Sequence, residues 1–289
     1  MEIAVNGTRL WFDVEGAALV PDGPAMRRRP TIVLIHGGPA SYDHSYFKPQ
    51  FSELGRIAQV VYLDLRDHGR SARHDATTWS FEACADDIRA FCDALSIERP
   101  IVLGHSMGGM VAILYGARHP GHAGGLILQS TMARFDLERL VDGFRRFGGD
   151  EVAELARRDY GNGPAISDAE WDRVYAVFGP HVPDEEQLAR RVGNEVLGDP
   201  GGELLTSFDA VDLLRSIASP TLVSVGALDA VTPVEASQEI VDGLRAGHAR
   251  LSVLPGAGHF PWLDTPDAYF ADLEVFIQLA ADPDRRVDA

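Results

Sequence analysis
Apolar residues recur along this chain in short unbroken runs, with amphipathic stretches between them. Thr31–Ile35, Val60–Leu63, Ile101–Leu103, Leu126–Leu128, Thr221–Val225 and Leu251–Leu254 are bounded mostly by Gly, Pro or Asp. Runs that are short and continuous, rather than alternating, predict strands buried on both faces of a parallel sheet. Residues 3–14 instead alternate, and Asn6-Gly7 predicts a tight hairpin turn there. Between the runs the spacing becomes helical, as in Phe81, Cys84, Ile88, Phe91, Cys92 and Leu95, which share one face. Thr232-Pro233-Val234-Glu235 predicts a helix start with a capping box and proline at the first position, and Thr265-Pro266 opens the last helix in the same way.

This alternation predicts an α/β fold with a mostly parallel central sheet flanked by helices. It breaks after Ser130. Residues 132–214 contain no strand-like run, but helical patterns cover Leu137–Phe147, Glu151–Tyr160 and Asp168–Phe178, interrupted by "GNGP", "FGPHVP" and "GDPGG". The expected organisation is therefore a core from residues 1–131 and 215–281, a helical lid or cap over 132–214, and a polar tail, 282–289, that frays.

Composition narrows the partners. The 289 residues are 45% hydrophobic and 24% charged, an ordinary globular balance, but 26 Lys+Arg face 43 Asp+Glu for a formal charge of -17. Such a field repels phosphate backbones and anionic lipid, which argues against nucleic acid or a membrane surface as partner. The basic cluster Arg27–Arg29 is too short to change this and reads as a solvated loop. No apolar run approaches the roughly 18 residues of a membrane span, and the N-terminal pattern is not that of a signal peptide. Cys84 and Cys92 share a helical pattern about 12 Å apart, too far for a disulfide, so both are expected as small core residues in a reducing cytoplasm. No metal-type Cys/His spacing surrounds them; a small-molecule substrate, no metal and no cofactor are expected.

The chemistry concentrates where strands end. "IVLGHSMGGM" sets Ser106 between Gly104 and Gly108, directly after one strand and at the start of an apolar helix, as a nucleophile elbow requires. A serine needs a base, an acid to orient that base, and donors for the developing oxyanion. His259, in "LPGAGHFPW", follows the last strand and is the candidate base. Asp229, in "SVGALDAVTP", follows the strand before it and is the candidate acid, with Asp136 as the weaker alternative. "LIHGGPASY" follows the strand Thr31–Ile35; the amides of Gly38 and Gly37, with that of Met107, would form the oxyanion hole. His36 is expected to fix the glycine loop by hydrogen bonding.

In this order, "HGGP", "DLRDHGRS", "GHSMGG", "GALDAVTP" and "GAGHFPW" resemble the α/β-hydrolase superfamily over residues 3–280. "HGGP", "DLRDHGRS" and "GNEV" narrow the likeness to its proline iminopeptidase branch. Two departures from that branch stand out: the elbow reads Gly-His-Ser-Met-Gly, as in general esterases and lactonases, and Asp64-Leu65-Arg66-Asp67 replaces its usual Asp-x-Arg-Gly. The resemblance implies an α/β-hydrolase fold and a serine hydrolase that cleaves a small ester or amide through an acyl-enzyme. A proline iminopeptidase-like aminopeptidase, a lactonase or a noncatalytic receptor on the same fold are the alternatives. For an aminopeptidase, Glu195 stands where that branch carries a substrate-binding glutamate. Epoxide hydrolases and haloalkane dehalogenases place Asp at the elbow, where this chain has Ser106, and no G-x-G-x-x-G follows the first strand to suggest a dinucleotide.

Overall fold
The computed structural model describes residues 1–39, 42–75, 78–161, 163–194 and 198–281. The expected hairpin forms from β1 (Glu2–Val5) and β2 (Thr8–Glu15), with Val5 opposite Thr8 across the Asn6-Gly7 turn. A second hairpin, β3 (Leu19–Asp22) and β4 (Ala25–Arg28), takes in part of the basic cluster read as a loop. Its residues are almost all exposed, so no apolar pattern marks it in the sequence.

The apolar runs become β5 (Thr31–Ile35), β6 (Gln59–Leu63), β7 (Ile101–His105), β8 (Gly125–Gln129), β9 (Thr221–Gly226) and β10 (Ala249–Leu254). With β1 and β2 they make one eight-stranded sheet in the order β1-β2-β6-β5-β7-β8-β9-β10. From β6 to β10 every pairing is parallel; β1–β2 and β2–β6 are antiparallel. The unbroken runs are explained by two cores. Val33 and Ile35 pack on one face with α1 (Phe81–Ala94) and α2 (Met107–Arg118), while Ile32 and Leu34 pack on the other, so neither side of the strand faces water.

Between β8 and β9 the chain is helical. α3 (Leu137–Tyr160) is broken at Gly149, which adopts φ 80° and separates the two helical patterns seen in the sequence. α4 (Asp168–Tyr175), α5 (Glu185–Ala189) and α6 (Gly198–Thr206) follow, and the first turn of α6 contains "GDPGG", expected instead as a break. The proline sits early enough to cost the helix no hydrogen bond. The two legs of this insertion run side by side: Phe135 donates its N–H to the Phe208 carbonyl (2.9 Å) and Ala210 to that of Ala133 (2.7 Å). α7 (Val234–Gly243) packs on β9 and β10 on the same face of the sheet as α1 and α2, and α8 (Pro261–Asp264) leads into α9 (Pro266–Ala281), which covers the opposite face. Among the described residues, no helix is long and apolar enough to cross a membrane.

Candidate active site
Parallel strands place all their C-terminal ends at one edge of the sheet, and the loops that leave this edge carry the chemistry. Ser106 stands between β7 and α2 with φ 54° and ψ -123°, a left-handed backbone that costs a non-glycine residue about 1–3 kcal/mol. Its backbone is held on both sides. The Ser106 N–H donates to the Gln129 carbonyl (2.9 Å), and the Thr131 hydroxyl donates to the Ser106 carbonyl (2.7 Å). Only glycine fits beside it: a Cβ on Gly104 would lie 2.2 Å from the Gly108 carbonyl oxygen, and one on Gly108 would lie 2.3 Å from that of Ile35. His105 and Met107 are buried, whereas Ser106 keeps partial exposure to a cavity of about 560 Å³.

His259 lines the same cavity, and Asp229 is buried behind it. The imidazole Nδ1 donates to the Asp229 carboxylate at 3.0–3.1 Å. Three more donors fix that carboxylate: the N–H groups of Val231 (3.0 Å) and Thr232 (2.9 Å) at Oδ1, and the Thr232 hydroxyl at Oδ2 (2.8 Å). The Thr232 side chain is therefore no helix cap, as its sequence context suggested; α7 starts after Pro233 without a side-chain cap. Asp136, the alternative acid, caps α3 by accepting from Arg139 N–H (3.0 Å) and does not contact His259.

The glycine loop after β5 faces Ser106 across the cavity. A Cβ on Gly37 would come within 3.3 Å of Ser106 Cβ. The Gly37 N–H, however, donates to the Tyr46 hydroxyl (2.8 Å), which removes it from the expected set of oxyanion donors. The Gly38 N–H has no hydrogen-bond partner among the described residues, and that of Met107 lies in the first turn of α2, beyond reach of any helix carbonyl. These two amides remain for an oxyanion. His36 does hold the loop: Nδ1 donates to the Gly37 carbonyl (2.6 Å) and Nε2 accepts from Leu65 N–H (3.2 Å). Burial pushes its pKa down, which keeps this ring neutral.

The insertion closes over the cavity. Phe135, Leu140, Tyr160, Trp171, Tyr175 and Phe178 supply an aromatic and aliphatic wall. Tyr42 and Tyr175 join hydroxyls (3.3 Å), and the Arg191 guanidinium lies 4.9 Å from the Tyr42 ring. Phe178 accepts the His259 N–H at its carbonyl (2.6 Å), and Asp264 takes the N–H groups of Gly258 (2.7 Å) and His181 (2.7 Å). Asp264 thus ties the insertion to the histidine loop, a role that its place in "WLDTP" did not announce. Glu195, expected as a substrate-binding residue, and the tail 282–289 lie outside the described residues.

Asp43, His44 and Asp64 form a buried acidic cluster of the kind that can hold a cation. Their carboxylate oxygens already accept hydrogen bonds within the cluster and from the surrounding chain. Asp64 accepts from His44 Nδ1 (2.7 Å), His44 N–H (2.9 Å) and Arg70 N–H (2.8 Å). Asp43 accepts from Ser45 N–H, Arg70 and, across to the insertion, Val192 N–H. The cluster reads as the brace of the "DLRDHGRS" loop.

With that geometry in view, the comparisons with known proteins are consistent. The family model described as the alpha/beta hydrolase fold matches residues 30–266. A proline iminopeptidase of Lactiplantibacillus plantarum is 28% identical over 272 residues, 87% of this chain and 93% of that protein. The pimeloyl-[acyl-carrier protein] methyl ester esterase of Neisseria meningitidis is 28% identical over 256 residues, 86% of this chain and 93% of the esterase. A solved proline iminopeptidase of Mycobacterium smegmatis has a TM-score of 0.78 at 21% identity, covering 97% of this chain and 98% of its own.

Proposed function
The chain belongs to the alpha/beta hydrolase fold family, whose relatives here are hydrolases, and from that premise we propose a serine hydrolase that cleaves a small-molecule ester or amide through an acyl-enzyme. Ser106 attacks, His259 takes and returns the proton, Asp229 holds the imidazole with Nδ1 protonated, and Gly38 with Met107 stabilises the oxyanion. The observation that carries this reading is the meeting of a strained, part-exposed serine and an Asp-oriented histidine on one cavity. Residues 132–214 act as its cap and shape the acyl or amine pocket. The enzyme works in the cytoplasm, and needs no metal or cofactor.

A panel of aryl esters, lactones and aminoacyl-anilides tests the reading. Turnover of at least one class, abolished by Ser106→Ala, is expected; no turnover of any class and no reaction with a fluorophosphonate would reject it.

A second reading, an aminopeptidase, is favoured by one observation besides the relatives. Asp159, exposed at the surface, lines the cavity beside Tyr160 and forms no ion pair among the described residues. Partial desolvation there raises its carboxyl above the ordinary value, a cost that a substrate ammonium would relieve. Asp159→Asn should then weaken cleavage of a prolyl or alanyl anilide far more than that of a neutral aryl ester. Equal effects on both would retire the aminopeptidase and leave the esterase.

A further inference from the structure
The elbow histidine and a tyrosine from a different loop are joined in a way the triad alone does not require. Gly37 N–H meets Tyr46 Oη at 2.8 Å, Tyr46 Oη meets His105 Nδ1 at 2.8 Å, and His105 Nε2 meets the His259 carbonyl at 2.9 Å. All the side chains in this chain are buried, Tyr46 fully so. The direction of every bond follows from its two ends. The His259 carbonyl can only accept, so His105 must carry a proton on Nε2; in a neutral ring Nδ1 is then an acceptor, and Tyr46, which accepts from the Gly37 N–H, donates to it.

We propose that Tyr46 and His105 are positioning residues. They form a one-directional hydrogen-bond chain that locks the glycine loop, the nucleophile elbow and the histidine loop into one geometry. This rests on the serine hydrolase reading only for its effect on turnover; the chain itself is a property of the fold. Its three anchor points lie in the loop after β5, at the last residue of β7 and in the loop after β10; β5 and β7 pair directly, up to Ile35 opposite Gly104, whereas β10 pairs with β9 and is separated from β7 by two strands, so His105 makes the link that strand pairing does not. The ring of His105 spans the gap because it alone offers an acceptor and a donor at opposite ends of a rigid, flat side chain. It sits in an aromatic cage, with ring centroids at 4.8 Å from Trp262, 5.4 Å from Phe260 and 4.8 Å from His259. Burial holds it neutral, since desolvation pushes its pKa well below the ordinary value. The same cause keeps the Tyr46 hydroxyl protonated. By occupying the Gly37 amide, Tyr46 also leaves Gly38 as the amide of this loop without a hydrogen-bond partner among the described residues.

Two measurements test this. The first is kinetic, on an aryl ester that the wild type hydrolyses. Tyr46→Phe and His105→Leu should lower kcat roughly 10- to 100-fold through misplacement, with KM changed less than about threefold. His105→Gln, whose amide nitrogen can still donate to the His259 carbonyl, should retain part of what His105→Leu loses. The second is ¹⁵N NMR of the histidine rings in the intact wild-type protein, which depends on neither a substrate nor a variant that folds. It should find His105 protonated on Nε2 alone and unchanged from pH 8 to pH 5.5. A proton on Nδ1, titration of this ring within that range, or a Tyr46→Phe kcat equal to wild type would overturn the proposal. If the wild type neither turns over esters nor reacts with a fluorophosphonate, the hydrolase reading fails, and the ring tautomer still decides the hydrogen-bond chain.

Discussion

Replacing Asp229 by asparagine changes one oxygen for an NH₂ and separates orientation from shape. Asp229 Oδ1 accepts from two backbone N–H groups, so the asparagine carbonyl must take that place. Its NH₂ is then left where Oδ2 stood, facing the Thr232 hydroxyl and His259 Nδ1. The hydroxyl can turn round and accept. The imidazole can satisfy the NH₂ only by offering Nδ1 as acceptor, which moves its proton to Nε2, where it can no longer take one from Ser106. The wrong tautomer is expected to cost about 10⁴ in kcat, or roughly 5.4 kcal/mol of barrier. Because every backbone donor keeps a partner, the melting temperature should change little. The assay is kcat for the best aryl ester beside a thermal melt, with Asp136→Asn as control. Asp136 caps α3 and should leave kcat within a few-fold of wild type. An Asp229→Asn enzyme within tenfold of wild type, or a crippled Asp136→Asn enzyme, would refute the assignment.

Thr232→Val keeps the β-branched shape but deletes the hydroxyl donor to the buried carboxylate; at about 1.5–3 kcal/mol for a bond to a charged group, kcat/KM should fall roughly 10- to 150-fold, measured on the same ester. Stability should fall with acid before the carboxylates titrate. Desolvation pushes buried His68 down to about 3 and His105 well below its ordinary value, so the unfolded chain takes up protons below about pH 6.5 that the folded chain refuses. At pH 5 the His68 ring alone then costs about 2 kcal/mol, and His105 acts in the same direction, which urea unfolding at pH 7 and pH 5 should detect; equal stability at both would contradict it.

Much of the fold is legible because a strand buried on both faces has no polar alternation to confuse it, and β5 through β10 fall on the apolar runs within a residue or two. The exposed hairpin β3–β4 was not legible, since nothing in "LVPD" or "AMRR" is buried to leave a pattern. The strand ends announced Ser106, Asp229 and His259, because small residues and turn formers cluster where a side chain must be presented. What the sequence hid were partners brought together from distant loops. Thr232 looked like a helix cap, Tyr46 carried no signal that set it apart, and His105 entered only as one letter of the elbow motif. Their meaning lies in which atom meets which, and the Gly37 amide shows the consequence. Two adjacent glycines look equally available in a sequence; only the Tyr46 hydroxyl distinguishes them.

The central claim is that Ser106 forms the covalent intermediate. The most direct measurement is to react the protein with a fluorophosphonate, digest it and locate the adduct by mass spectrometry, with turnover of Ser106→Ala measured alongside. The account predicts one adduct, on the peptide that carries Ser106, no labelling of the variant, and turnover lowered roughly 10⁴- to 10⁶-fold. An adduct on another residue, or a Ser106→Ala protein that still turns over substrate at the wild-type rate, would contradict it.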